Sequence, residues 1–169
     1  DSDVDVGDVR TYAIVGTAPA GLTLNADGSY SFDPSNAAYQ SLAVGATQVV
    51  VANYTVSDGK GGMATSTLTI TVTGTNDAPV AVADVYEADE GTGVVTGDLS
   101  DNDSDVDVGD VLTYSVVGNA PAGLTLNADG SWEFDTDNAA YDSLAVGEEA
   151  VVTFTYEVSD GNGGTDQAT

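Results

Sequence analysis

The sequence predicts an all-β chain of two tandem immunoglobulin-like β-sandwich domains, each of about seven short strands with one short helical crossover. Three observations carry that reading. The 169 residues repeat themselves: residues 1–67 align with residues 103–169 without a gap, at an offset of 102, and about two-thirds of the aligned positions are identical. A period of that length is too long for a solenoid unit and fits one whole sandwich domain. Within each period, short segments of alternating apolar and polar residues are separated by clusters of Gly, Asn, Asp and Ser, the pattern of strands and turns. The hydrophobic share of 41 % is enough for ordinary cores, and no apolar run approaches the roughly 18 residues of a membrane span.

The elements follow in order from the turn-rich segment Gly74-Thr-Asn-Asp-Ala-Pro79, which has no large apolar residue and ends in a Pro that opens the next strand. Strands are predicted at Val80–Glu87, Gly93–Gly97 and Val111–Val117. Leu124, Leu126, Trp132 and Phe134 alternate on either side of Asn127-Ala-Asp-Gly130, which reads as a β-hairpin with Gly at the positive-φ position. Leu22, Leu24, Tyr30 and Phe32 repeat it in the first copy. Asn138–Leu144 suits one or two helical turns crossing between strands, with Gly147 as the stop. Val151–Ser159 is a strand, and Thr65–Thr73 shows the last strand in full. A boundary near Asn76 then gives a first repeat, 1–76, lacking its two N-terminal strands, and a second, 77–169, truncated in its last strand. A second phasing stays open, in which residues 80–97 complete residues 1–75. The opening Asp-Ser-Asp, with no initiating Met and no basic-then-apolar leader, reads as part of a longer protein.

Charge narrows the function. There are 28 Asp plus Glu against 2 Lys plus Arg, a formal charge of −26, so nucleic acid is repelled and direct membrane insertion is not expected. The absence of Cys and His removes thiol chemistry, disulfides, imidazole bases and most zinc or copper sites. Hard-cation chemistry through carboxylate oxygen remains. No enzyme is expected: carboxylates are abundant, but no pocket is legible around a pair of them.

In an up-and-down sandwich opening at Pro79, the loop after the second strand returns to the linker. That loop brings Asp101, Asp103, Asp105, Asp107 and Asp110 near Asn76 and Asp77, and the loop holding Asp160 returns to the same pole. Ca²⁺ suits such a cluster, since it takes six to eight oxygens in irregular geometry, whereas Mg²⁺ keeps its waters. The spacing Asp103, Asp105, Asp107 copies the start of an EF-hand loop, but Val108 stands in place of its Gly and Tyr114 in place of its Glu, so it is not one. By the repeat, Asp1, Asp3, Asp5 and Asp58 are the counterparts in the first copy. The competing reading is acid carried for solubility, with Asp27 and Asp129 serving as turn residues.

The segments "NDAPVA" at 76–81, "DNDSDVDVGDVLTYSVVG" at 101–118, "LTLNADGSWEFD" at 124–135 and "FTYEVSDGNGG" at 154–164 resemble VCBS-type, cadherin-like repeats of large bacterial RTX adhesins. The resemblance covers essentially the whole chain, twice. It implies calcium-binding sandwiches strung in an extender region, secreted to the bacterial cell surface, where Ca²⁺ stiffens the junctions between neighbouring repeats and the array spaces an adhesive tip for cell adhesion or biofilm formation. Asn76 and Asp77 resemble the end of the cadherin linker motif. The metal candidates are thus Asn76, Asp77, Asp101, Asp103, Asp105, Asp107 and Asp160, with Asp1, Asp3, Asp5 and Asp58. The partners implied are neighbouring repeats, with self-association through the truncated domains as a further expectation. A calcium-dependent glycan-binding or homophilic adhesion module is the alternative, disfavoured because near-identical repeats look like interchangeable spacers.

Overall fold

The computed structural model describes residues 8–169, and its regular structure is strands and one 3-10 turn. The chain divides into two compact units, the first ending at Thr75 and the second running from Asn76 to Thr169.

In the first unit β1 (Thr11–Ile14), β4 (Thr47–Ser57) and β5 (Met63–Thr73) form one antiparallel sheet in the order β1-β4-β5, and β2 (Leu22–Leu24) pairs with β3 (Tyr30–Phe32) as a separate hairpin. The register of β4 on β5 runs unbroken from Thr47↔Thr73 to Ser57↔Met63. Alternation along these strands sends Val50, Ala52 and Val72 inward, while Val49 and Val51 face out. Val50 and Val72 pack with Tyr39, Phe32, Leu42 and Ile70 as the core.

The second unit closes a fuller sandwich. β6 (Val94–Asp98), β8 (Leu124–Leu126) and β9 (Ser131–Asp135) form one sheet in the order β6-β9-β8, and β7 (Thr113–Val117), β10 (Thr155–Ser159) and β11 (Thr165–Ala168) the other, in the order β11-β10-β7. Tyr114, Tyr156 and Val158 from one sheet meet Trp132, Phe134, Leu124 and Leu126 from the other. Tyr156 and Val158 are wholly enclosed. The hairpin predicted around Asn127–Gly130 forms: Asn127 N donates to Ser131 O at 2.8 Å, and Gly130 takes a φ of 94°. Its counterpart Gly28 takes 87°.

Two expected elements are replaced. Asn138–Leu144 is a run of turns and not a helical crossover. Asn138 accepts the Ala140 amide on its side chain at 3.1 Å, and only isolated i+3 bonds follow, from Tyr141 N to Asn138 O and from Leu144 N to Tyr141 O. The Tyr141 hydroxyl then donates to Ala122 O at 2.8 Å and pins the run to a loop. The one 3-10 turn lies elsewhere, at Leu99–Asp101. The strand expected at Val80–Glu87 is an isolated bridge, Val80↔Ser104, because carboxylates intercept its amides. Ala81 N donates to Asp166 Oδ2 at 2.9 Å and Val82 N to Asp103 Oδ1 at 2.7 Å. The described second unit therefore holds six strands and the described first unit five, fewer than about seven each.

Candidate metal centre

The second unit gathers its acids at the end where Asn76 enters. Asp107 follows the 3-10 turn in the loop leading to β7 and is 4 % exposed, as is Asp160, which opens the turn between β10 and β11. One carboxylate oxygen from each of Asp105, Asp110 and Asp160 lies within 4.8 Å of the others. Asn76 Nδ2 donates to Asp160 Oδ2 at 2.7 Å, and the Asp77 amide donates to Asp107 Oδ2 at 2.8 Å. The entering segment is thereby tied to two acids of the cluster.

Local backbone positions the rest. Asp160 Oδ1 accepts the amides of Asn162, Gly163 and Gly164 at 2.7, 3.0 and 3.0 Å, and Asn162 Nδ2 bonds Asp110 Oδ2 at 2.9 Å. The close-packed glycine at 164 is required, since a Cβ there would meet Ala78 Cα at 2.8 Å. The Asn76 amide, with these backbone N–H groups, holds the Asp160 carboxyl below the usual carboxylate range despite burial. Asp105 Oδ1 accepts the Asp107 amide at 2.8 Å, folding the loop back on itself.

Several oxygens stay without a donor. Asn76 Oδ1, Asp105 Oδ2, Asp107 Oδ1 and Asp103 Oδ2 are all buried and unpartnered. An ionised carboxylate is acceptor-only, so a buried oxygen with no donor is unfavourable unless a cation faces it. The donor set is all oxygen, from carboxylates and an amide, which fits a hard ion of flexible coordination such as Ca²⁺. Asn76, Asp105, Asp107, Asp110 and Asp160 would hold it, with Asp77 tied to them by its amide on Asp107.

The other predicted residues fall differently. Asp103 sits beside this group, paired with Asp84 through Tyr156, whose hydroxyl lies 3.2 Å from Asp84 Oδ2 and 3.4 Å from Asp103 Oδ1. Burial raises the Asp103 carboxyl, and burial, reinforced by Asp103 and Asp98, pushes the Tyr114 phenol up to about 12. Asp101 is exposed on the last residue of the 3-10 turn and outside the cluster. Asp58, the counterpart of Asp160, accepts the amides of Lys60 and Gly62 at 2.7 and 2.9 Å. Here Lys60 stands where Asn162 does, and its ammonium pairs with Asp8, the counterpart of Asp110. A side-chain cation thus neutralises part of the equivalent loop. Asp1, Asp3 and Asp5 lie outside the described residues. Reasoning from sequence leaves out Asp84, which looks like a polar position on a strand, and omits Asp110 from the ligand set although its loop is the right one.

The fold is shared with cadherin extracellular domains. A Drosophila N-cadherin EC1-4 structure matches 97 % of this chain and 41 % of its own at 14 % identity and a TM-score of 0.51. PcdhgB3 EC1-4 matches 94 % and 38 % at 14 % identity and 0.51, and human CDH23 EC21-23 matches 95 % and 50 % at 12 % identity and 0.50. The chain therefore spans half or less of those solved chains, and at these identities the likeness is one of fold. No curated protein matches the chain significantly. The family model for the bacterial cadherin-like domain matches twice, over residues 1–74 and 76–169, and the chain belongs to that family.

Proposed function

We propose that the chain is a structural, non-catalytic pair of repeats from the extender of a secreted bacterial surface adhesin, and that Ca²⁺ bound around Asn76, Asp77, Asp105, Asp107, Asp110 and Asp160 fixes the entering segment on the second repeat. The observation that supports this most is the set of buried oxygens without donors on Asn76, Asp105 and Asp107. Burial makes each of them dependent on a positive partner. Bonds from Asn76 and Asp77 to Asp160 and Asp107 tie that partner to the position of the linker segment, so a cation held there stiffens the entry to the repeat. Family membership and the sequence resemblance to adhesin repeats support the reading of such a unit as part of a cell-surface array.

The test is thermal unfolding with Ca²⁺, with Mg²⁺ and with EGTA. At calcium a hundredfold above its dissociation constant, linkage adds about 2.7 kcal/mol per site. For a domain of this size that is a rise of about 10–20 °C. Asp105→Ala combined with Asp107→Ala lowers the EGTA melt through the lost bonds to the Asp107 and Asp77 amides and removes the further rise with calcium, which is read as the difference between the two melts of the same variant. A double variant that keeps the full calcium response, or magnesium acting as strongly as calcium, would overturn the proposal.

A further inference from the structure

The two repeats are unequal in charge. Residues 1–75 carry 7 Asp together with both basic residues of the chain, Arg10 and Lys60, whereas residues 76–169 carry 21 Asp plus Glu and no Lys or Arg. The second unit therefore has no side-chain cation of its own to set against its acid cluster. The first unit has one, and it sits at the matching place, in the turn between β4 and β5.

At the offset of 102, Asp8, Asp58 and Lys60 stand where Asp110, Asp160 and Asn162 stand in the second unit. The two turns share their backbone. Asp58 Oδ1 accepts the amides of Lys60 and Gly62 as Asp160 Oδ1 accepts those of Asn162 and Gly164, and Gly61 and Gly163 take φ of 111° and 112°. One side chain separates them. Asn162 Nδ2 gives Asp110 Oδ2 a neutral bond at 2.9 Å, which leaves the charges of Asp105, Asp110 and Asp160 uncompensated. Lys60 Nζ gives Asp8 Oδ1 a bond and a positive charge. An exposed ion pair contributes little as a rule, but the Asp8 side chain is only 2 % exposed, and a carboxylate enclosed to that degree depends on its partner. Asp8 Oδ2 keeps no donor, so the ammonium compensates one side of the carboxylate and not the other.

We propose that position 60 and its counterpart 162 set how far each repeat depends on calcium. Lys60 is a tethered cation that stands in for part of the Ca²⁺ charge in the first repeat, and Asn162 leaves the second repeat to collect that charge from solution. A cation carried on the chain is present at any salt concentration, and it repels a divalent ion approaching Asp8 and Asp58. Falling calcium then loosens the second repeat before the first. The inference rests on the calcium reading for the identity of the ion but not for the role of the lysine, and the experiment separates the two.

The experiment transplants the lysine. Trp132 is the one Trp of the chain, so its fluorescence follows the melting of the second unit alone. Asn162→Lys should melt higher in EGTA than Asn162→Met, which has a stem of similar length and no charge. It should also raise the calcium concentration that gives half of the thermal shift by about tenfold or more. Asn162→Met should stay within about threefold of the wild type, since it loses one neutral bond. In the unaltered chain, calcium should slow amide exchange at β10 more than at β4. N162K melting no higher than N162M in EGTA overturns the inference, and so does an equal loss of calcium response in the two variants. Equal calcium protection of β4 and β10 overturns it as well. A wild-type Trp132 melt that ignores calcium is instead the failure of the calcium reading, and the role of the lysine is then decided by the EGTA comparison alone.

Discussion

Asp129 and Asp107 carry the same side chain into opposite circumstances. Asp129 Oδ1 takes the Ser131 hydroxyl at 2.6 Å and the Ser131 amide at 3.1 Å, and chiefly the hydroxyl draws its pKa below the ordinary 3.8. Asp107 is 4 % exposed and keeps one oxygen without a donor. The first is a turn residue with its bonds made; the second keeps a buried acceptor that no donor of the protein reaches. Because the folded pKa of Asp129 lies below its unfolded value, its contribution to stability is present above the unfolded pKa and is lost as pH falls through the folded one. Ser131→Ala should move the Asp129 midpoint upward toward 3.8, read by carboxyl chemical shift against pH, and an unmoved midpoint would show that the hydroxyl is not the cause. The role of Asp129 was legible in sequence, since Asn-Ala-Asp-Gly carries its turn chemistry locally. The gathering of Asp105, Asp110 and Asp160 was legible only as a shared pole, because which oxygens converge depends on how each loop folds back.

At the scale of elements, the hairpins and β10 were readable because their alternation and turn residues lie next to one another in the chain. Val80–Glu87 was not. Its alternation fits a strand, yet Asp103 and Asp166 supply the acceptors that a neighbouring strand would supply, and neither competitor is near it in sequence. Asn138–Leu144 failed for a local reason, since the Asn side chain and the Tyr141 hydroxyl substitute for helical bonds. β6 shows the reverse case, a weak signal with a firm role. Its Gly97 looks like a poor strand residue, but the absent Cβ is what admits the Trp132 indole. Gly97→Ala should destabilise the second unit by about 1–3 kcal/mol, the range for overpacking a core, in urea unfolding followed by Trp132 fluorescence. A loss of a few tenths would mean that the indole is free to shift.

For the whole molecule, a charge of −26 sets long-range repulsion between copies, and that repulsion falls as pH approaches the isoelectric value near 4.1. The feature it guards is β5. This strand lies at the edge of its sheet and carries no charged residue from Met63 to Thr73, whereas natural edges are commonly blunted by a charge, a Pro or a bulge. Its outward residues are mostly threonines, which are uncharged and favourable in a ladder. Colloidal behaviour should therefore depend on acid in a specific way. Near pH 4 the wild-type chain is expected to form scattering particles, and Thr69→Lys, an outward change in the middle of β5, is expected to suppress them; equal scattering from both would clear this edge of responsibility. What keeps β5 solitary at neutral pH is then a property of no residue within it. The edge is protected by the field of the whole chain, and any counterion or acidity that quenches that field opens it to pairing with the same edge of another copy.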